Sequence, residues 1–284
     1  MTAELLNGEP VAARIKMELA DRVQRLVAAG RTPGLGTILV GDDVSSARYV
    51  EMKVEESAEI GIRSYDEHLP STATQAEIEA IIDRFNDDPN VHSILVQLPL
   101  PEGMSEEEVL LRVKPEKDVD GLHPTNLGRL VMGAPGPLPC TPNGIVELLA
   151  AYDVPVEGKH VVIIGRGVTI GRPLAVLMAT RRPHCNAAVT VVHTGVEDMK
   201  EIVLTGDVVV AAAGKAGLVT RDMVKPGAAV VGAGTTFVGR KLLSDVADDV
   251  SEVARWMTPR LGGVGPMTRA MLLRNAVLAA EKVP

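Results

Sequence analysis

Two groups of residues in this sequence could do chemistry. The first is Gly165-Arg166-Gly167-Val168-Thr169-Ile170-Gly171, which follows the unbroken apolar run Val161 to Ile164 and precedes an alanine- and leucine-rich helical pattern. Strand, glycine loop and helix in that order can hold a pyrophosphate. The glycines let backbone N–H groups approach it without a Cβ in the way, and the helix N-terminus adds partial positive charge. The third glycine falls one residue later than in the common G-x-G-x-x-G spacing, and a plain tight turn between a buried strand and a helix accounts for the same residues. The next strand, Ala187 to Val192, weighs toward a dinucleotide. It ends in His193, Thr194 and Gly195, with no acid where an NAD site presents one to the ribose 2′-hydroxyl. Arg166 and the Thr194 hydroxyl suit a 2′-phosphate instead, which favours NADP; the plainer account leaves Arg166 and Arg172 as solvated loop charges.

The second group is Tyr49 and Lys53, with Gln97, Asp118 and Asp120 further along. Tyr49 and Lys53 are spaced i, i+4 on a helix expected to be capped by Ser45 or Ser46 and to run to about Ile60, so both project from one face over the end of the preceding strand. A packed ring with a lysine snorkelling past it is the ordinary reading of such a pair. Its place at the carboxyl end of a strand in an α/β sheet, where ligands bind, gives it a chemical reading as well. Gln97, near the end of the apolar run Ser93 to Leu98, needs partners for its amide from the protein or from a ligand. Asp118 to Asn126 has many turn formers and little periodicity, and reads as a connection whose carboxylates could hold amino groups.

The elements that must position these residues alternate. Apolar residues at Val11, Ile15, Leu19, Val23 and Leu26 predict a helix over Pro10 to Ala29, stopped by Gly30. Leu35 to Val40 is a short buried strand, and Ile62 to Leu69 alternates like an edge strand. Thr74-x-x-Glu77 is a capping box for a helix to about Phe85, and Ser105-x-x-Glu108 opens another to about Val113. Pro135 to Cys140 reads as a linker, after which Thr141-Pro142 caps a helix to Tyr152. Asp207 to Ala213 and Ala228 to Val231 are further parallel strands, Gly262 to Pro266 is a flexible turn, and Thr268 caps a last helix to about Glu281. Strands alternating with helices imply a parallel α/β sheet.

With 284 residues the chain can build two cores. Aromatics make up only 2%, so those cores must be aliphatic, and a net charge of −8 argues against a nucleic-acid surface. No apolar run reaches membrane-span length and no signal sequence opens the chain, so a cytoplasmic location is expected. Cys140 and Cys185 are too few for a disulfide scaffold and are expected free. The six histidines show no ligand spacing, and no metal is expected.

Several stretches together resemble one family, the bifunctional methylenetetrahydrofolate dehydrogenase/methenyltetrahydrofolate cyclohydrolases, called FolD in bacteria. They are Leu35-Gly-Thr-Ile-Leu-Val-Gly41, Tyr49-x-x-x-Lys53, Val96-Gln-Leu-Pro-Leu-Pro101, Lys117-Asp-Val-Asp-Gly-Leu122, Pro139-Cys-Thr-Pro142, Gly165 to Pro173 and Gly262-Gly-Val-Gly-Pro-Met-Thr268. The resemblance implies an α/β protein of two domains with a cleft between them. Residues 1–140 with a returning helix 268–284 would form a folate-binding catalytic domain with a parallel sheet, and 141–267 a Rossmann-type NADP-binding domain. It also implies a homodimer joined through the nucleotide domains, acting on tetrahydrofolate derivatives.

The implied reaction is oxidation of 5,10-methylenetetrahydrofolate to 5,10-methenyltetrahydrofolate with NADP, then hydrolysis to 10-formyltetrahydrofolate. Loss of hydride from the N5–CH2–N10 bridge leaves a cation stabilised by both nitrogens, so oxidation needs alignment more than acid or base. Hydrolysis needs a proton-transfer group, and the resemblance gives that role to Lys53, whose neutral form a cationic ligand would favour. Gln97 would orient Lys53, Tyr49 would stack on the folate, and Asp120 would accept from the pterin's amino edge. Asp118 is expected to be structural. Gly262, Gly263 and Pro266 would line the folate through backbone, while Gly165, Arg166, Gly167, Gly171 and Thr194 would hold NADP. One departure stands out. The family commonly reads Val-Ile-Asp-Val-Gly and then Gly-Asp-Val, where this chain has Val230-Val-Gly-Ala-Gly234 and Ser244-Asp245-Val246. A cyclohydrolase with an impaired dinucleotide site, or a silent folate- or nucleotide-binding protein, are the alternatives this departure suggests.

Overall fold

Val11, Ile15, Leu19 and Val23 form a buried stripe on helix α1 (Gly8–Ala28), the spacing of a helix with one face in a core. The computed structural model describes residues 2–238 and 241–282. Strand β1 (Glu4–Leu5) precedes α1. After it come β2 (Gly34–Val40), α2 (Val44–Glu59), β3 (Arg63–Leu69), α3 (Gln75–Asp87), β4 (Ser93–Val96), α4 (Glu106–Arg112) and α5 (Pro124–Met132). The remainder is α6 (Cys140–Ala151), β5 (His160–Ile164), α7 (Gly171–Ala179), β6 (Ala188–Val192), α8 (Met199–Val203), β7 (Val208–Ala211), β8 (Ala229–Gly232), β9 (Thr235–Val238), β10 (Lys241–Ser244), β11 (Trp256–Met257) and α9 (Val264–Lys282).

The chain folds as two compact units. One comprises Arg14–Arg129, Ala134–Leu138 and the chain from Leu272, and holds a parallel sheet in the order β3-β2-β4. The central strand β2 is buried along its whole length. Gly36 has no Cβ because the Phe85 ring of α3 lies where one would be, which lets Ile78, Ile82 and Phe85 pack on Ile38, Val40, Ile94 and Val96. Ile78 and Ile82 are completely buried, each contributing about 2 kcal/mol.

The other unit runs to Ala13, then from Leu130 to Gly133 and from Pro139 to Met271. Its six-stranded parallel sheet has the order β1-β11-β8-β7-β5-β6, beside a β9–β10 antiparallel hairpin. Val162, Ile164, Val209, Val230 and Val246 lie in its aliphatic core, as the shortage of aromatics requires. The first residues belong here and not with the 1–140 segment, because β1 pairs in parallel with β11, Leu5 opposite Met257. Two-residue strands carry no periodicity to read in sequence. No helix among the described residues is long and apolar enough to cross a membrane.

Four local expectations are corrected. The cap of α2 is Asp43, whose Oδ1 accepts from Ser46 N–H at 2.8 Å; the Ser45 side chain lies outside what is described. Helix α6 starts at Cys140, one residue before the expected Thr141 cap, and Thr141 Oγ1 instead meets Thr268 Oγ1 at 3.0 Å. Helix α9 begins at Val264, so Pro266 sits in its first turn, where a missing N–H costs no hydrogen bond. Asp118 to Asn126 is not entirely connection, since α5 opens at Pro124. The unusual segment after β8 holds the β9–β10 hairpin; its Gly239 and Arg240 lie outside the described residues.

Candidate active site and dinucleotide loop

Helix α2 brings Lys53 over the end of β2 and leaves it only 4% exposed. A lysine buried to that degree needs partners for its ammonium. It has two. Lys53 Nζ donates to Gln97 Oε1 at 3.2 Å and lies 4.7 Å from the centroid of the Tyr49 ring. Gln97 stands one residue past β4, and its N–H donates to Ile38 O of β2 at 2.9 Å. Its Nε2 donates to Leu98 O at 2.6 Å, which leaves Oε1 for Lys53. The structure thus brings Tyr49, Lys53 and Gln97 together, and the protein supplies both partners that the glutamine amide needed.

Asp120 is half-buried on the segment that continues beside β4, where Asp118 bridges in parallel to Ile94. Its place is set by Asp118. Asp118 Oδ1 accepts from Gly121 N–H at 3.0 Å and Leu122 N–H at 3.3 Å, and Oδ2 from His123 N–H at 2.9 Å and Asn126 Nδ2 at 2.8 Å. Burial pushes the Asp118 carboxyl above the usual range, while the bonds from Asn126 and His123 pull the other way. Asn275 of α9 secures the same loop, with Nδ2 donating to Val119 O at 2.8 Å and Leu138 O at 2.9 Å. Nothing in its helical surroundings singled out that asparagine.

In the other unit the three glycines of the loop have different reasons. Gly165 has φ +120°, and a Cβ there would run into Ala212 O. A Cβ on Gly171 would run into Gly165 O. Both are required by the turn itself, which is the plain reading of a tight strand-to-helix connection. Gly167 is different, because a Cβ there would meet nothing within 4 Å. The space beside it is open. Helix α7 begins with Ile170 in the capping position and no side-chain cap, and Arg172 N–H in its first turn donates to Gly167 O at 3.1 Å.

Pairing of β5 with β6, Ile164 opposite Val192, places the residues after each strand side by side. Arg166 Nη1 lies 3.3 Å from His193 Nε2, and His193 Nδ1 accepts from Gly195 N–H at 3.1 Å. The guanidinium can only donate, and it stands against the His193 ring at the ends of β5 and β6. Thr194 is exposed beside them. His193 is a residue that sequence reasoning had not chosen; the signal available was its position at the end of β6 next to the chosen Thr194.

Gly262, with φ +77°, and Gly263 are fastened to the start of α1: Gly8 N–H donates to Gly262 O at 2.7 Å, and a Cβ on Gly8 would run into Gly263 O. Gly263 also packs against Thr258, whose Oγ1 accepts the N–H of Gly232 at 2.8 Å. Pro266 follows in the first turn of α9.

Two family models match the chain. Residues 6–120 match the catalytic domain of tetrahydrofolate dehydrogenase/cyclohydrolase, and residues 139–283 its NAD(P)-binding domain. The chain is 52% identical over 282 residues to a Syntrophotalea carbinolica protein named bifunctional protein FolD, covering 99% of this chain and 97% of that one. It is 50% identical over 280 residues to bifunctional protein FolD 1 of Salinispora tropica, covering 99% and 92%. Among solved structures, the Trypanosoma brucei N5,N10-methylenetetrahydrofolate dehydrogenase-cyclohydrolase complexed with NADP and an inhibitor is similar with a TM-score of 0.94 at 40% identity, over 99% of this chain and 98% of that one. The bifunctional FolD of Campylobacter jejuni gives 0.94 at 41%, over 98% and 99%.

Proposed function

Because the chain belongs to the tetrahydrofolate dehydrogenase/cyclohydrolase family, we propose that Lys53 is the proton-transfer group of its hydrolytic step and that the loop from Gly165 to Gly171 is its cofactor cradle. The protein is a bifunctional NADP-dependent enzyme. It oxidises 5,10-methylenetetrahydrofolate to 5,10-methenyltetrahydrofolate and hydrolyses that product to 10-formyltetrahydrofolate. A cyclohydrolase alone, or a silent binding protein, is not favoured.

The contact of Lys53 with Gln97 and Tyr49 carries the assignment of the site. Bound NADP supplies the acceptor for the hydride. The residues of the chain bind, orient and move protons. Hydrolysis adds water to the methenyl carbon, and a proton must then pass between that oxygen and a ring nitrogen before the ring opens. Lys53 Nζ is the proton-transfer atom. Gln97 Oε1 holds it in one direction, because the other end of the amide is already bound to Leu98 O. Tyr49 covers the ammonium and offers its ring to the folate. Asp120 accepts from the pterin's amino edge, and Asp118 keeps the backbone around it in place. Gly262, Gly263 and Pro266 serve the folate through backbone atoms.

For the cofactor, Gly167 leaves room for the pyrophosphate, Gly165 and Gly171 shape the turn, and Arg166, His193 and the Thr194 hydroxyl meet a 2′-phosphate. Residues 1–140 with 268–284 and residues 141–267 are taken as the folate and nucleotide domains, except that the first residues go with the nucleotide unit, in which β1 pairs with β11. The outer edge of β6, a strand reading Ala-Val-Thr-Val-Val with β5 on its other side, supports a homodimer formed through the nucleotide units. A cytoplasmic location fits the family's metabolic substrates. The deciding experiment supplies the purified protein with 5,10-methylenetetrahydrofolate and either NADP or NAD and follows reduced nicotinamide by absorbance. Reduction with NADP and much weaker reduction with NAD is expected; none with either would overturn the cofactor assignment.

A further inference from the structure

Strands β11, β8, β7 and β5 lie side by side in the six-stranded sheet, and the residues just before them are Arg255, Ala228, Asp207 and Lys159. Parallel pairing thus gathers three charged residues from distant parts of the chain into one row at the amino ends of the strands. Lys225, on the turn that leads into β8, joins them. Together they line a pocket of about 180 Å³, whose apolar walls are Val154, Pro155, Pro226 and Trp256. All of it lies in the unit that holds this sheet. The Gly165 loop follows the opposite end of β5, about 20 Å from Lys159 by strand rise, so this pocket is separate from the dinucleotide loop.

The one acid of the pocket is already committed. Asp207 Oδ1 accepts from Lys225 Nζ at 2.6 Å, and Oδ2 accepts from His160 N–H at 3.0 Å. The Lys225 bond foremost holds this carboxyl below the usual range, with the Lys159 charge adding to it, so Asp207 stays ionised and cancels one cation. Neither Lys159 nor Arg255 has a carboxylate partner among the described residues. Arg255 instead lies over the Trp256 ring, its Cζ 4.2 Å from the centroid, a contact that uses none of its N–H groups. The backbone under each cation is fixed. Lys159 N–H donates to Val156 O at 3.0 Å, Lys225 O accepts from Ala228 N–H at 3.0 Å, and Arg255 N–H donates to Ala228 O at 2.9 Å.

We propose that this pocket binds a small doubly charged oxyanion of the phosphate type, either inorganic phosphate or a short phosphomonoester, held by Lys159 and Arg255. Two surplus cations call for two negative charges, and a phosphate carries about −1.5 to −2 on one centre at neutral pH. The arginine fork can meet two of its oxygens at once, and the lysine serves as a point charge. Size limits the rest of the ligand. A volume of 180 Å³ is room for about six water molecules, enough for a phosphate with a short carbon stem along the apolar walls but not for a nucleotide. In a chain of net charge −8, this local excess of positive charge is what draws the anion here.

Trp256 is the only tryptophan of the chain, so its fluorescence reports on this pocket alone. The full chain is titrated with inorganic phosphate, glycerol phosphate and acetate at constant ionic strength, and binding is measured in parallel by calorimetry. Phosphate should give a saturable change with a Kd of about 1 mM or tighter. Lys159→Ala and Arg255→Ala, both at exposed positions, should each raise that Kd at least about tenfold; calorimetry reads the second, because Arg255 touches the reporting ring. Arg166→Ala should leave the phosphate titration as in the parent. Tighter binding of glycerol phosphate than of phosphate supports the site as one for esters, and weaker binding supports it as one for the free ion. No saturation by about 10 mM phosphate overturns the proposal, as do acetate binding as tightly as phosphate and a parental Kd in both alanine variants. Loss of the signal in Arg166→Ala would move the anion to the dinucleotide loop and overturn it as well.

Discussion

Lys53 Nζ donates to Gln97 Oε1 at 3.2 Å while the nitrogen of the same amide is committed to Leu98 O at 2.6 Å. The amide cannot turn over without losing both bonds, so the lysine is aimed by a fixed acceptor. Gln97→Glu puts a carboxylate beside Lys53, where it stabilises the ammonium and opposes proton release. Hydrolysis should fall at least about tenfold, and Lys53→Ala should lower it about 100-fold or more. Cyclohydrolase assays on both variants check this; full activity in Lys53→Ala would remove the lysine from the mechanism.

Arg166 Nη1 lies 3.3 Å from His193 Nε2 at the ends of β5 and β6. Arg166→Ala removes charged hydrogen bonds worth about 1.5–3 kcal/mol, and should raise the NADP KM about 10- to 100-fold. The KM for NAD, which has no 2′-phosphate, should stay within about twofold. Steady-state measurements with both cofactors read the difference, and an equal loss for both would place Arg166 elsewhere on the dinucleotide.

The glycines of the loop separate by effect. Gly165→Ala forces a side chain to φ +120° and into Ala212 O, and should cost about 2 kcal/mol or more of stability. Gly167→Ala enters empty space and should leave the thermal midpoint nearly unchanged while weakening NADP binding. Differential scanning calorimetry beside cofactor titration distinguishes the two; similar destabilisation in both variants would contradict the assignment of open space to a ligand.

Asp118→Ala would strand three backbone N–H groups and one N–H of the Asn126 amide, whose other N–H keeps Pro115 O. The expected loss is about 2–4 kcal/mol in denaturant unfolding. The folate KM should rise as well, because the backbone on either side of Asp120 is no longer held. A variant with normal folate KM would leave Asp118 with a stability role alone.

His92 links stability to pH. It is 7% exposed, and its Nδ1 accepts from Gly34 N–H at 3.0 Å; burial foremost holds the imidazole below its ordinary value. The unfolded chain therefore binds this proton at higher pH than the folded one. The contribution is complete above about pH 6.5 and is lost as pH falls toward the lower folded value. Its greatest slope is about 1.4 kcal/mol per pH unit. His92→Asn keeps an acceptor for Gly34 but cannot titrate, so its unfolding free energy should depend less on pH below 6.5. An unchanged pH profile would sink this linkage.

What could be read in sequence were features carried by neighbours along the chain. Thr74 and Glu77 form their capping box, Glu77 N–H donating to Thr74 Oγ1 at 3.3 Å and Thr74 N–H to Glu77 Oε2 at 2.7 Å. Tyr49 and Lys53 share a helix face, and Gly165 ends a buried strand, as their spacing required. What could not be read depends on partners far away. Lys53 meets Gln97 because β2 and β4 are neighbours, and Arg166 meets His193 because β5 and β6 are. The hairpin β9–β10 escaped because its alternation is broken by polar residues, and β1 and β11 because two residues make no pattern.

Leu5 lies opposite Met257, and Leu6 N–H donates to Met257 O at 2.9 Å. The partner of this early segment is thus separated from it by some two hundred and fifty residues of chain. During synthesis the fully buried Leu6 has no native place until β11 has left the ribosome, and closing so long a loop comes late on entropic grounds. The edge of the six-stranded sheet made first is therefore the edge that docks last, and until then Leu6 is an apolar side chain that other chains or chaperones can reach.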